Sequence, residues 1–254
     1  MKKIATKICL EKASENNSFQ TEKLYLAGYD LEDLARNSSM TEILFLLYGG
    51  ELPSHSENKK LLEVLMVLLS LPSPRHVASR AAMNAGICKT NAEHILPISL
   101  MAIGGEQLGA TEVRNCWEFI ENNIDNPPEV VASKILANWI DKEKHIAPGF
   151  GQSYGEIDIL STRFFKQLLA IKPSGKTMKW VQKLIVELEK HNVGILDVGL
   201  AACVFHELSF GSRESIALYQ FLRAPGLMAY GLEQTHNPVS AIPMLEDSQY
   251  ELTK

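Results

Sequence analysis

Apolar residues recur along this chain at three- and four-residue spacings, and no stretch of five or more residues alternates cleanly with period two. A chain patterned in this way buries helical stripes and not sheet faces, so it is expected to be mainly α. The clearest stripe lies in 60–70, where Leu61, Leu62, Leu65, Leu68 and Leu69 share one face, and a second joins Met178, Val181, Leu184, Ile185 and Leu188. Ser39 with Glu42, and Ser54 with Glu57, have the spacing of a capping box and mark two helix starts. Asn126-Pro127 reads as the cap and first turn of a helix running to about 142. Further helices are expected over about 76–88, 92–103, 112–122, 157–171, 196–208, 213–222 and 226–233. Any strand should be short and terminal, around 2–10, and no internal repeat is visible.

With 254 residues, 46% of them apolar, the chain can form one large domain or two modest ones. A net charge of −5 offers no bulk attraction to nucleic acid or an anionic membrane, so neither is expected as a partner. Apolar runs such as 64–69 fall far short of the roughly 20 residues of a membrane span. The opening Met1-Lys2-Lys3-Ile4 leads into no apolar signal segment, and a cytoplasmic protein is expected. Cys9, Cys88, Cys116 and Cys203 form no Cys-x-x-Cys pair, which fits reduced thiols.

Motif by motif, several chemistries fall away. The histidines at 55, 76, 94, 145, 191, 206 and 236 include no His-x-x-x-His pair and adjoin no cysteine cluster, so no metal is expected. His145, His191 and His206 read as surface or capping residues. The glycines of 104–109 lack the Lys-Ser/Thr ending of a phosphate loop and follow a helix, not a strand. Gly151-Gln152-Ser153-Tyr154-Gly155 matches the nucleophile elbow of serine hydrolases, with Asp197 and His236 following in hydrolase order. Pro148 spoils the strand such an elbow needs, and no parallel sheet is expected to hold it. A serine hydrolase using Ser153 is therefore the remote alternative.

Two early segments, Gly28-Tyr29-Asp30-Leu31-Glu32-Asp33-Leu34-Ala35 and the stretch from Ser38 to Pro53, resemble the opening of the citrate synthase family. Later pieces keep the family's order. Residues 103–110 fall where it has His-Gly-Gly-Ala, Ala147-Pro148-Gly149-Phe150-Gly151-Gln152 where it has Pro-Gly-Phe-Gly-His, and Leu222-Arg223-Ala224-Pro225-Gly226 looks like its C-terminal arginine motif. In size and style the chain is similar to the short citryl-CoA lyase-like members and to the lyase module of ATP-citrate lyase. The resemblance implies an all-α fold with a large and a small domain around a cleft: 1–108 and 199–254 in the large one, 109–198 in the small one. It also implies a coenzyme A thioester and a carboxylate as ligands, without metal, and a homodimer, for which the helices at 61–69 and 92–103 are candidate faces.

Family members join or cleave an acyl-CoA and a 2-oxo acid. An aspartate moves the thioester's α-proton, one histidine stabilises the enolate oxygen, a second polarises the oxo-acid carbonyl, and arginines hold the carboxylates. Carried over, Asp197 becomes the catalytic aspartate, 26 residues before Arg223. A rival register sets Asn192-Val193-Gly194 on the family's Asn-Val-Asp and leaves glycine there. Arg163 and Arg223 become the carboxylate clamp. Gly149, Phe150, Gly151 and Lys144 become candidates for holding coenzyme A. Both catalytic histidines are replaced, by Gln107 and Gln152; substitution by one of His145, His191 and His206 stays open, but no spacing selects one. A carboxamide can donate to an oxyanion but cannot shuttle a proton at neutral pH. Two functions remain open: turnover at a carbon–carbon bond, and a non-catalytic member that binds coenzyme A or a carboxylate or partners a full-length homologue.

Overall fold

The computed structural model describes residues 5–140, 145–243 and 245–251. Three strands, β1 (Cys9–Ala13), β2 (Thr21–Leu26) and β3 (Tyr29–Asp30), form an antiparallel sheet at the start of the chain. Then come α1 (Leu31–Asn37), α2 (Met40–Gly49), α3 (Ser56–Leu69), α4 (Val77–Ile87), α5 (Ala92–Ala102), α6 (Ala110–Asn123) and α7 (Pro128–Asn138). A two-residue strand β4 (Phe150–Gly151) precedes α8 (Ile159–Ile171) and α9 (Lys176–Glu189). It pairs antiparallel with β5 (Gly194–Ile195), after which α10 (Asp197–Glu207) and α11 (Ser212–Gln234) complete the body. The architecture is all-α apart from these short strands.

The sheet begins later and extends further than the single strand expected around 2–10. Most of β1 and β2 is exposed on both faces, so no apolar alternation marks it in the sequence. In α2 the capping glutamate works as expected: the Ser39 N–H and hydroxyl both donate to the Glu42 carboxylate at 2.8 Å, and Gly50 ends the helix at φ +80°. Ser54 does not cap α3, which starts at Ser56 behind His55. Pro127, not Asn126, is the cap of α7, and the Asn126 carbonyl instead accepts the Trp180 indole N–H at 2.9 Å.

The two helices expected at 213–222 and 226–233 are one. Pro225 removes an N–H from the middle of α11, and Gly226 turns its own N–H out of the helix to the Ser70 carbonyl, 3.0 Å away. A Cβ on Gly226 would stand 2.2 Å from that oxygen, so only glycine lets α11 approach the end of α3 this closely.

Helix α10 is the centre of the molecule. Every residue from Val198 to Phe205 is buried, as for a helix apolar all round, and α3, α6, α8, α9 and α11 pack against it. Leu61, Leu62, Leu65 and Leu69 spend one apolar face of α3 on this core while Val67 stays exposed, and α5 leaves Ile98 and Met101 exposed. The pairing of β4 with β5, and a bond from the Leu196 N–H to the Gly149 carbonyl at 2.9 Å, lash the 147–151 turn to the start of α10. No described helix is long and apolar enough to cross a membrane.

Candidate functional site

Asp197 is the first residue of α10, one position inside the cap, and makes no capping bond. Its Oδ2 instead accepts from Nη2 of Arg223 on α11. Arg223 is buried, its side chain 3% exposed against 27% for Asp197. Its Nη1 donates to the Leu69 carbonyl at 3.2 Å, its Nη2 also to the Tyr219 hydroxyl at 3.2 Å, and the guanidinium lies 5.1 Å from the Tyr219 ring centre. Burial works against that charge, but Tyr219 and Asp197 outweigh it and hold the guanidinium pKa above its usual value. Burial, with the negative charges of Asp197 and Glu112, holds the Tyr219 phenol well up, against the pull of Arg223. Asp197 Oδ1 and Arg223 Nε are buried with no partner.

The Arg223 guanidinium expected to clamp a ligand carboxylate is committed to Asp197 and to the C-terminal turn of α3. Arg163 is exposed on α8 and meets no described group in a hydrogen bond or ion pair. The rival register has a packing explanation: Gly194 lies in β5, where a Cβ would stand 3.0 Å from Ile157 Cγ2.

A second polar cluster adjoins the first through the 147–151 turn. Glu112, 2% exposed, takes the third position of α6, from which a glutamate reaches back over its own helix start. Its Oε2 accepts the Leu108 N–H at 2.5 Å, and its Oε1 accepts the Gly149 N–H at 2.9 Å and bonds His145 Nδ1 at 2.6 Å. Glu112 thus ties the 104–109 loop, the 147–151 turn and His145 to one buried carboxylate. Glu106, Gln107, Glu112, Asn115, His145 and Pro148 line a cavity of about 380 Å³.

Gly149, at φ +80°, leaves no room for a Cβ, which would stand 2.5 Å from Cys116 Sγ and 2.8 Å from Gly199 Cα. On Gly151 a Cβ would stand 2.9 Å from His145 Cδ2, so this glycine seats the imidazole. Phe150 is fully buried. The glycines and phenylalanine expected to meet coenzyme A are therefore explained by packing, and Lys144 lies outside the described residues. Gln152 is not in the cavity with Gln107, because its amide donates to the Asn192 carbonyl at 2.9 Å. Ser153 is held in a tight turn with Glu156, not on a strand-to-helix elbow, which removes the structural basis of the hydrolase alternative.

A larger cavity of about 690 Å³ lies among α4, the end of α11 and Tyr154, with Arg75, Arg80, Asn84 and Asn237 among its walls. Neither guanidinium meets a described acidic partner. Among the described residues no group of three or more His, Cys, Asp or Glu side chains is placed to hold a metal ion. Periodicity and motif reading missed Glu112, Tyr219, Arg75 and Arg80 as site residues and could not single out His145 among three candidate histidines. Only Glu112 left a signal, its position three residues after Gly109 at a helix start.

No family model and no curated protein matches this sequence. Solved structures do. Citryl-CoA lyase from Hydrogenobacter thermophilus superposes with a TM-score of 0.79 over 99% of this chain and 94% of its own, at 20% identity. ATP citrate lyase from Methanothrix soehngenii, solved with citrate and coenzyme A, gives 0.71 over all of this chain and 44% of its own, at 15% identity. Citrate synthase from Thermotoga maritima gives 0.58 over all of this chain and 95% of its own, at 16% identity. The chain has the all-α fold of the citrate synthases. Within that fold its likeness includes citryl-CoA lyase across nearly the full length of both chains.

Proposed function

We propose that this chain is a member of the citrate synthase family that acts on the carbon–carbon bond between an acyl-CoA and a 2-oxo acid, as citryl-CoA lyase or citrate synthase does, with Asp197 moving the proton at the thioester's α-carbon. The observation that carries this reading is the Asp197 carboxylate itself. One oxygen is fixed by Arg223 while the other is buried without a partner. An unmade hydrogen bond at a buried acceptor costs about 1–3 kcal/mol, and a substrate proton is what that oxygen would accept. Arg75 and Arg80, unpaired at the larger cavity, are suited to the carboxylates of the acid or the phosphates of coenzyme A.

A second reading, binding without turnover, is favoured by one observation: the Gln152 amide is spent on Asn192 and points to no reacting group. The test is calorimetric titration with coenzyme A, acetyl-CoA, oxaloacetate and citrate. It is paired with assays for thiol release and for citryl-CoA cleavage, in the parent and in Asp197→Asn. Binding with turnover that falls at least a hundredfold in the variant supports the first reading. Binding without turnover supports the second, and neither binding nor turnover refutes both.

A further inference from the structure

A buried glutamate that fixes one ring nitrogen of a histidine, beside an open cavity, is an arrangement that leaves the other nitrogen for chemistry. Here Glu112 holds His145 Nδ1 at 2.6 Å, and its two backbone bonds, to Leu108 and Gly149, keep that carboxylate from following the ring elsewhere. Gly151 seats the far edge of the imidazole. His145 Nε2 meets no described partner, the side chain is 20% exposed, and it shares its cavity with Gln107. Gly149 joins this cluster to the Asp197 end of α10: its N–H goes to Glu112 and its carbonyl accepts the N–H of Leu196.

Resting on the reading of Asp197 above, we propose that His145, positioned by Glu112, is the proton carrier on the oxo-acid side of the reaction, the task that neither Gln107 nor Gln152 can perform. In the cleavage direction the substrate hydroxyl gives its proton to His145 Nε2 and the carbon–carbon bond breaks. Its electron pair enters the thioester as an enolate, and protonated Asp197 delivers its proton to the α-carbon. In the synthetic direction the Asp197 carboxylate takes that proton and the enolate carbon attacks the carbonyl. The His145 imidazolium then protonates the new alkoxide. Glu112 is a positioning residue, since it reaches the substrate only through His145.

The experiment uses His145→Gln, Glu106→Gln and Glu112→Gln in the full chain, the last expected to lower kcat with KM unchanged; a kcat equal to the parent's would overturn the positioning role of Glu112. First, the ring C–H signals of His145, assigned by their loss in His145→Gln, are followed by NMR while oxaloacetate is added to the parent. A shift that saturates with the calorimetric binding curve supports the proposal. Oxaloacetate binding that leaves these signals unmoved overturns it, whether or not the protein turns over. Second, citryl-CoA cleavage is measured against pH. His145→Gln is expected to lower kcat about a hundredfold and to remove the fall in rate at low pH, since a neutral imidazole must accept the proton. Among the described residues, Glu112 on α6 and Glu106 on the loop before it are the titratable groups facing the ring, so the limb must persist in Glu106→Gln for His145 to be its source. Turnover in His145→Gln equal to the parent overturns the proposal while leaving the Asp197 reading intact. Failure of the parent to bind or convert any of these ligands refutes the Asp197 reading and this one with it.

Discussion

Replacing Arg223 by alanine should destabilise the unliganded protein, a consequence the ligand-clamp reading of this arginine does not foresee. The guanidinium makes three contacts inside the fold: to Asp197, to the Leu69 carbonyl at the end of α3, and to the Tyr219 hydroxyl. Its removal leaves Asp197, only 27% exposed, without a counter-charge and an α3 carbonyl without a donor. Breaking a fully buried ion pair from one side costs about 3–5 kcal/mol. The residual exposure of Asp197 and its place at a helix N-terminus lower that figure, so about 3 kcal/mol is expected. For a chain of this size that is a fall in Tm of roughly 10 °C, at about 2–4 °C per kcal/mol. Asp197→Asn should cost less, and the double variant should be more stable than the sum of the singles predicts, with a coupling of about 1.5 kcal/mol or more. Urea and thermal melts of the four proteins close the cycle. An Arg223→Ala protein within about 1 kcal/mol of the parent, with additive singles, would refute the claim that this pair holds α10, α11 and α3 together.

Other outcomes follow from the packing and the charges. Gly86→Ala should destabilise by about 1–3 kcal/mol, because its Cβ would meet the Gly231 carbonyl at 2.0 Å where α4 crosses α11. Gly105→Ala, whose nearest neighbour would be the Gln107 carbonyl at 3.9 Å, should leave the melting midpoint unchanged. Hydrogen bonds from Lys59 and Ser39 lower the Glu42 pKa from 4.5 to about 2, so this group adds stability above pH 4.5 that is lost as the pH falls toward 2. The stability difference between the parent and Glu42→Gln, read from urea midpoints, should therefore be about 1 kcal/mol or less at pH 7 and smaller still at pH 3. Cys9 and Cys88 are exposed, whereas burial pushes the Cys116 and Cys203 thiols well up, so a thiol reagent should titrate two groups quickly and two more only on unfolding.

The helices were legible because their apolar stripes face a common core: Leu61 to Leu69 on α3 and Met178 to Leu188 on α9 are buried as their spacing requires. The strands were not, since β1 and β2 bury almost nothing and β4 and β5 are two residues each, too short to show a period. The unbroken course of α11 through Pro225 depends on a tertiary bond to Ser70, which no local rule contains. At the site, Asp197 and Arg223 could be named from motif order, but their pairing across 26 residues is a property of how α10 meets α11. His145 shows the limit most plainly. It reads as an ordinary surface histidine until the chain folds Glu112, 33 residues earlier, beneath it.

The central claim, that Asp197 moves the proton at the α-carbon of a CoA thioester, is tested most directly by following deuterium entry into the acetyl group of acetyl-CoA in D2O, with and without oxaloacetate. NMR reports the methyl signal without requiring a completed turnover. Exchange is expected in the parent, faster when oxaloacetate is present, with a loss of at least about a hundredfold in Asp197→Asn. A parent that binds acetyl-CoA without exchanging its protons, or a variant that exchanges them as fast as the parent, would contradict the claim.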